Sequence, residues 1–149
     1  MKKLLLISVL LTITLFADFK VGDILPDITL QDQFGKTMKV TANDSLLLLT
    51  FEKEVAIQTA DLLKNKPKGY LQAHHIKYIS DISKMPSFIT SMFALPKMKK
   101  YPFSVMLIEN KLGRDFAKEA GKLTVYKLKK QKITEIQFVA PMALGSVLQ

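Results

Sequence analysis

Glu52 and Glu54 stand at the point where an apolar run, Leu46-Leu47-Leu48-Leu49-Thr50-Phe51, gives way to a helical pattern. Two carboxylates at such a junction can do general acid–base work if one of them has a raised pKa. The first turn of a helix acts in the opposite sense, because its dipole favours negative charge. The pair therefore reads first as a helix-start preference, with acid–base chemistry as the alternative. A third carboxylate, Asp81, lies at the end of a second apolar run, Ile76 to Ile82. In open α/β sheets ligands bind beyond the carboxyl ends of the strands. By that rule one crevice would collect Glu52, Glu54, Asp81, Ser83, Met85 and Pro86.

Other chemistries find little support. The 149-residue chain contains no cysteine, so thiol–disulfide exchange and thiol peroxidation are excluded. His74 and His75 are the only histidines, and adjacent side chains point apart. Third and fourth ligands at metal-site spacing are missing, so no metal centre is expected. No Gly-x-Ser-x-Gly elbow occurs. The six glycines (22, 35, 69, 113, 121 and 145) are too dispersed for a phosphate loop or dinucleotide fingerprint. No cofactor is expected.

The elements that would position these residues follow from hydrophobic period. Ile28 to Gln31 and Thr37 to Thr41 alternate around a turn holding Gly35, which predicts an N-terminal hairpin. Leu46 to Leu49, with Phe51, is nearly continuous, as in a strand covered on both faces. From Lys53 the apolar positions Val55, Thr59, Leu62 and Leu63, with Ala56 and Ala60, fall at helical spacing until Pro67 and Gly69. Tyr70 to His75 is a connection or short helix, and Ile76 to Ile82 a second buried strand. Pro86 opens a helix whose stripe Phe88, Ile89, Met92 and Phe93 is predicted to pack inward, with Pro96 ending it. Phe103 to Ile108 reads as a third buried strand, and Arg114 to Ala120 as one or two helical turns. Leu123 to Leu128 and Ile133 to Phe138 form a closing hairpin with lysines at its tip, before a short helix within 140–149. This order implies a mixed central sheet with helices on both faces, a three-layer α/β fold.

Residues 1–17 read as a signal peptide: Lys2 and Lys3, then an apolar stretch from Leu4 to Phe16, then Ala17. The stretch is short for a membrane span of ~20 residues. Cleavage near Ala17 would leave 18–149 as one domain, periplasmic or secreted; an uncleaved membrane anchor is the alternative. The net charge is +9. Eleven basic residues fall between Lys97 and Lys132, against Glu109, Asp115 and Glu119. Such a run is ordinarily a solvated face. It can also meet an envelope protein, an anionic surface or the membrane periphery; for an exported chain, nucleic acid is not expected.

Phe19-Lys20-Val21-Gly22-Asp23-Ile24-Leu25-Pro26-Asp27-Ile28-Thr29-Leu30 and the turn Gln33-Phe34-Gly35-Lys36 resemble the opening of the thioredoxin-like superfamily in its peroxiredoxin-type variant. The spacing of Met85-Pro86, Lys99-Lys100-Tyr101-Pro102-Phe103-Ser104, a short helix and a closing hairpin is similar to the YtfJ family of small exported proteins. The resemblance covers most of residues 19–139 and implies a thioredoxin-like fold, but no activity to carry over. Redox-active members place a cysteine at the start of the first helix and a cis-proline before the closing hairpin. Here those places read Phe51 to Thr59 and Gly121-Lys122-Leu123-Thr124, so both parts of a redox site are missing. The expected function is therefore a non-catalytic binding or envelope-interaction module. Its expected contacts are Met85, Pro86, Tyr101 and Pro102, with Lys127, Lys129, Lys130 and Lys132 at the hairpin tip. The alternatives are a cysteine-independent enzyme using Glu52, Glu54 or Asp81, and a basic membrane-surface protein.

Overall fold

A computed structural model describes residues 18–149. The signal segment expected at 1–17 lies outside the described residues. Five strands form the central sheet in the order β5 (Met106–Ile108), β4 (Ile76–Asp81), β3 (Leu46–Thr50), β6 (Leu123–Lys129), β7 (Lys132–Val139). β3, β4 and β5 are parallel, and β6 and β7 close the sheet antiparallel. A separate two-stranded sheet joins β1 (Thr29–Gln31) and β2 (Thr37–Lys39).

The leucine run of β3 is continuous because both of its faces are covered. Leu48 points into a cluster with Val55 and Leu63 of α1 (Lys53–Lys64), Leu71 of the short α2 (Tyr70–Ala73) and Leu144 of α5 (Leu144–Val147). Leu47 and Leu49 point into a second cluster with Ile28, Val40, Phe116 and Tyr126. The second face is roofed by the β1–β2 hairpin and by the segment around a 3₁₀ turn, Lys111–Asp115. Strand alternation thus sends successive leucines to opposite apolar layers.

Helix α1 buries Val55, Thr59, Ala60 and Leu63, the face its spacing predicted. Thr59 carries a cost: it is fully buried, and its hydroxyl has no hydrogen-bond partner among the described residues. Valine has the same shape and similar helix propensity. We expect Thr59→Val to stabilise the fold by about 1 kcal/mol, raising the melting temperature by about 3 °C in a calorimetric scan. An unchanged or lowered melting temperature would show that the hydroxyl is hydrogen-bonded in solution.

Three expectations are corrected. The strand at Phe103 to Ile108 shrinks to Met106–Ile108, because the backbone at Phe103 and Val105 bonds to the Gln33 side chain instead of a neighbouring strand. Helical turns expected at Arg114 to Ala120 form earlier, as Lys111–Asp115, where Asn110 Oδ1 accepts from Leu112 N–H at 2.9 Å. The third concerns the helix after Pro86. It runs as α3 (Ser87–Ile89), a π-helical turn (Thr90–Ala94) and α4 (Leu95–Met98), so Pro96 does not end it. Pro96 is the second residue of α4, two past the end of the π turn, and helical backbone continues through it to Met98. Nor does the stripe pack inward. Phe88, Met92 and Phe93 are 61%, 66% and 62% exposed, while Thr90 is buried and bonds Pro86 O at 3.3 Å.

Candidate functional site

The carboxyl ends of β3 and β4 open into a cleft of about 510 Å³. Phe51, Glu52, Lys53, Ala56 and Ile57 supply one wall from the start of α1. The 87–98 helix supplies another through Ile89, Phe93, Ala94 and Met98. Tyr78, Ser80, Ile82 and Val105 form the floor, and Lys84, Met85, Lys97 and Tyr101 the rim. That size and a largely apolar lining with few polar groups suit a small-molecule or side-chain pocket.

A chain of buried hydroxyls underlies the floor. Thr50 Oγ1 donates to Ser80 Oγ at 3.1 Å and lies 3.3 Å from Tyr78 Oη, which donates to Ala56 O at 3.3 Å. Burial raises the Tyr78 phenol well above the usual tyrosine range, with the Thr50 hydroxyl opposing in part. It stays a neutral donor here, not a base.

Each sequence-predicted site residue has a definite place. Glu52 lines the cleft, but its Oε1 accepts the Gly121 N–H at 2.8 Å. Gly121 has φ +74°, and its turn leads into β6. Glu52 therefore ties the start of α1 to that turn. Asp81 lines the cleft, and its Oδ1 accepts from Ser83 N–H at 2.9 Å and Ser83 Oγ–H at 2.6 Å. A Cβ added at Gly113 would come within 1.9 Å of Asp81 Oδ2, so Gly113 makes room for the carboxylate. Both carboxylates serve the local architecture. The crevice expected to hold six residues gathers Glu52, Asp81 and Met85; Glu54, Ser83 and Pro86 are not among its lining residues. They miss it because Glu54 lies on the first turn of α1, one residue past the wall formed by Glu52 and Lys53, and Ser83 and Pro86 are exposed on the loop.

Tyr101 joins the cleft, stacked on Phe103 with ring centres 5.2 Å apart and with Lys64 Nζ 4.9 Å over its ring. Burial raises its phenol, and Lys64 acts against that. Pro102 faces a different cleft, of about 340 Å³, with Lys36, Lys66 and Lys68. Of the four lysines expected at the hairpin tip, Lys130 lies in the β6–β7 turn, Lys129 and Lys132 end the strands on either side of it, and Lys127 lies within β6; none of them lines either cleft. Lys127 is paired to Glu135 at 2.8 Å, and this bond with one from Gln137 holds the Glu135 carboxyl below its usual range. Lys130 and Gln131 adopt positive φ at the two-residue turn. Among the described residues no group of three histidine or acidic side chains could hold a metal ion.

The sequence reading missed Asp32 and Gln33. Both are buried: Gln33 holds the wall of the cleft by bonding the backbone at Met98, Phe103 and Val105, and Asp32 accepts from Ser104 Oγ–H, of the smaller cleft, at 3.1 Å. The available signal was their turn setting, which explains polar residues without requiring burial.

No protein-family model and no curated protein matches the sequence. Solved structures do. A peroxidoxin, BcpB, from Mycobacterium tuberculosis aligns at TM-score 0.55 and 15% identity, covering 87% of this chain and 93% of the other. A putative thiol:disulfide interchange protein, DsbE, from Chlorobium tepidum aligns at 0.57 and 15%, covering 87% and 94%. A putative protein disulfide isomerase from Bacteroides thetaiotaomicron aligns at 0.57 and 16%, covering 87% and 86%. With its five-stranded mixed sheet and its helix α1 opening at the end of β3, the chain has the thioredoxin-like fold, built without a cysteine.

Proposed function

We propose that this protein is an exported thioredoxin-like domain that binds at its old redox position instead of reacting there, and that it is related to the YtfJ family. One observation carries the reading. At the strand-to-helix junction, Glu52 is spent on the Gly121 N–H, and beside it an apolar cleft of about 510 Å³ stands open. A general acid or base needs a carboxyl free to exchange its proton with substrate. Glu52 and Asp81 both accept bonds from neighbouring protein groups instead. The Met85-Pro86 and Lys99 to Ser104 segments, on which the family likeness rests, contribute Met85 and Tyr101 to the cleft. Export rests on the pattern of residues 1–17. The partner class is an envelope protein that inserts an apolar side chain, or a small apolar ligand of the same compartment.

The test compares two variants in a pull-down from envelope extract. Ala56→Phe with Ala94→Phe fills the cleft, whereas Glu52→Gln with Glu54→Gln removes the carboxylates. Retention of one partner should be lost, by tenfold or more, with the filled cleft and survive in the glutamine variant. Loss in the glutamine variant, with retention in the filled one, would overturn the binding reading and favour carboxylate chemistry.

A further inference from the structure

We infer that the outward face of the 87–98 helix is a seat for an anionic lipid surface. Phe93, Lys84 and Lys97 also line the cleft, but Phe88 and Met92 do not, so these two residues separate the inference from the cleft reading.

This helix is packed in an inverted sense. A surface helix normally turns its apolar stripe to the core and its hydroxyls to water. Here Thr90 is the one buried residue of 87–98, and it bonds Pro86 O. Ile89, Ala94, Leu95 and Met98 are half-buried. Phe88, Met92 and Phe93 stand in solvent, each more than 60% exposed. The π turn at Thr90–Ala94 contributes: Leu95 N–H bonds Thr90 O across five residues, which shifts the register between the buried Thr90 and the half-buried Leu95. Two phenylalanines and a methionine clustered on one short helix form an apolar patch that marks an interaction surface.

The charge around the patch selects the partner. No carboxylate occurs between Asp81 and Glu109, and the segment carries Lys84, Lys97, Lys99 and Lys100. All four are exposed, and none is in an ion pair among the described residues. Lys84 and Lys97 line the same cleft as Phe93 and so lie beside the patch; the two carboxylates of that cleft, Glu52 and Asp81, are taken up by Gly121 N–H and by Ser83. Protruding aromatics bordered by unpaired lysines match an interfacial helix that sinks its apolar side chains among acyl chains while the ammonium groups meet phosphate. A second copy of this chain fits poorly, because it would bring eight unpaired lysines against one another.

The experiment is sedimentation with vesicles of phosphatidylethanolamine and phosphatidylglycerol, 3:1, against vesicles of phosphatidylcholine. The full chain is compared with a form beginning at Asp18, which contains every described element but lacks the apolar stretch from Leu4 to Phe16. Circular dichroism checks that each protein is folded. The Asp18 form should bind the anionic vesicles and not phosphatidylcholine, and 0.5 M salt should weaken binding. Phe88→Ser with Met92→Ser should lower partitioning tenfold or more. Replacing Lys84, Lys97, Lys99 and Lys100 by Gln should cost about fivefold per lysine. Replacing Lys127, Lys129, Lys130 and Lys132 by Gln should change little. Three results would each overturn the inference: equal binding to both vesicle types, wild-type binding by the Phe88/Met92 variant, or self-association that the variant abolishes. Because the cleft lining is intact in that variant, failure here leaves the cleft test unaffected.

Discussion

Replacing Gln33 by Leu is expected to cost about 3 kcal/mol of stability and to open the cleft wall. The side chain is 2% exposed and meets three backbone groups between the end of α4 and the start of β5. Its Nε2 donates to Phe103 O at 2.8 Å and to Met98 O at 3.2 Å, and its Oε1 accepts Val105 N–H at 2.8 Å. Leucine fills similar space, so the change adds little cavity. What it adds is a buried Val105 N–H without a partner and two carbonyls without their donor, and a buried unsatisfied group costs about 1–3 kcal/mol. Urea unfolding should show the midpoint falling by about 1.5 M with an unchanged slope. Glu at the same position is expected to be worse than Leu: it keeps an acceptor for Val105 but turns a carboxylate toward two carbonyls. Because Met98, Tyr101 and Val105 line the cleft, partner retention should fall with stability. A midpoint shift below about 0.3 M would mean that the loop is held by something other than Gln33.

Gln33 also shows where the sequence stops being readable. The sheet was legible because β3 has to satisfy two apolar layers, and an unbroken leucine run has few other uses. Helix α1 was legible from its period, and the closing hairpin from its alternation. Glutamine in a turn announces only polarity. Its partners are backbone groups 65 to 72 residues away, and backbone carries no side-chain signature in a sequence. The same limit applies to Glu52, whose partner is the amide of Gly121. A carboxylate at a helix start is explained locally by the dipole, so nothing in the sequence points to the distant turn.

The 87–98 helix failed for a different reason. Periodicity shows that Phe88, Ile89, Met92 and Phe93 share a side, but not which way that side faces. The inward default assumes that burial decides the orientation. Here the half-buried Leu95 and Met98 pack against the core, Thr90 satisfies itself on Pro86 O, and the π turn shifts the register between them. The stripe is left outward. The site was thus legible as a place, at the carboxyl ends of β3 and β4, and illegible as a set of side chains.

Stability is expected to fall steeply above pH 10, with Tyr78 and Tyr126 as the cause. Tyr126 is fully buried, edge-on to Phe116 at 5.6 Å, and its hydroxyl accepts Ala117 N–H at 2.8 Å. Burial pushes its phenol from 10 up to about 12, and the Ala117 bond offsets part of that rise. Tyr78 is raised further, by burial first. An unfolded tyrosine titrates near 10. Above that pH the unfolded chain releases protons that the folded chain retains, so the equilibrium shifts toward unfolding. The stabilisation is complete below pH 10 and is lost progressively as pH rises through the folded values. By pH 12 the two residues together remove about 4 kcal/mol. Urea titrations at pH 8, 10, 11 and 12 would follow the decline. Absorbance near 295 nm should show two of the four tyrosines ionising only as the fold is lost. Tyr126→Phe separates this effect from general alkaline charge changes. At pH 8 the variant should be about 1 kcal/mol less stable, since Ala117 N–H loses its acceptor, yet it should decline less between pH 10 and 12. If wild type and variant decline in parallel, Tyr126 does not carry its share, and the loss belongs to the lysine-rich surface instead.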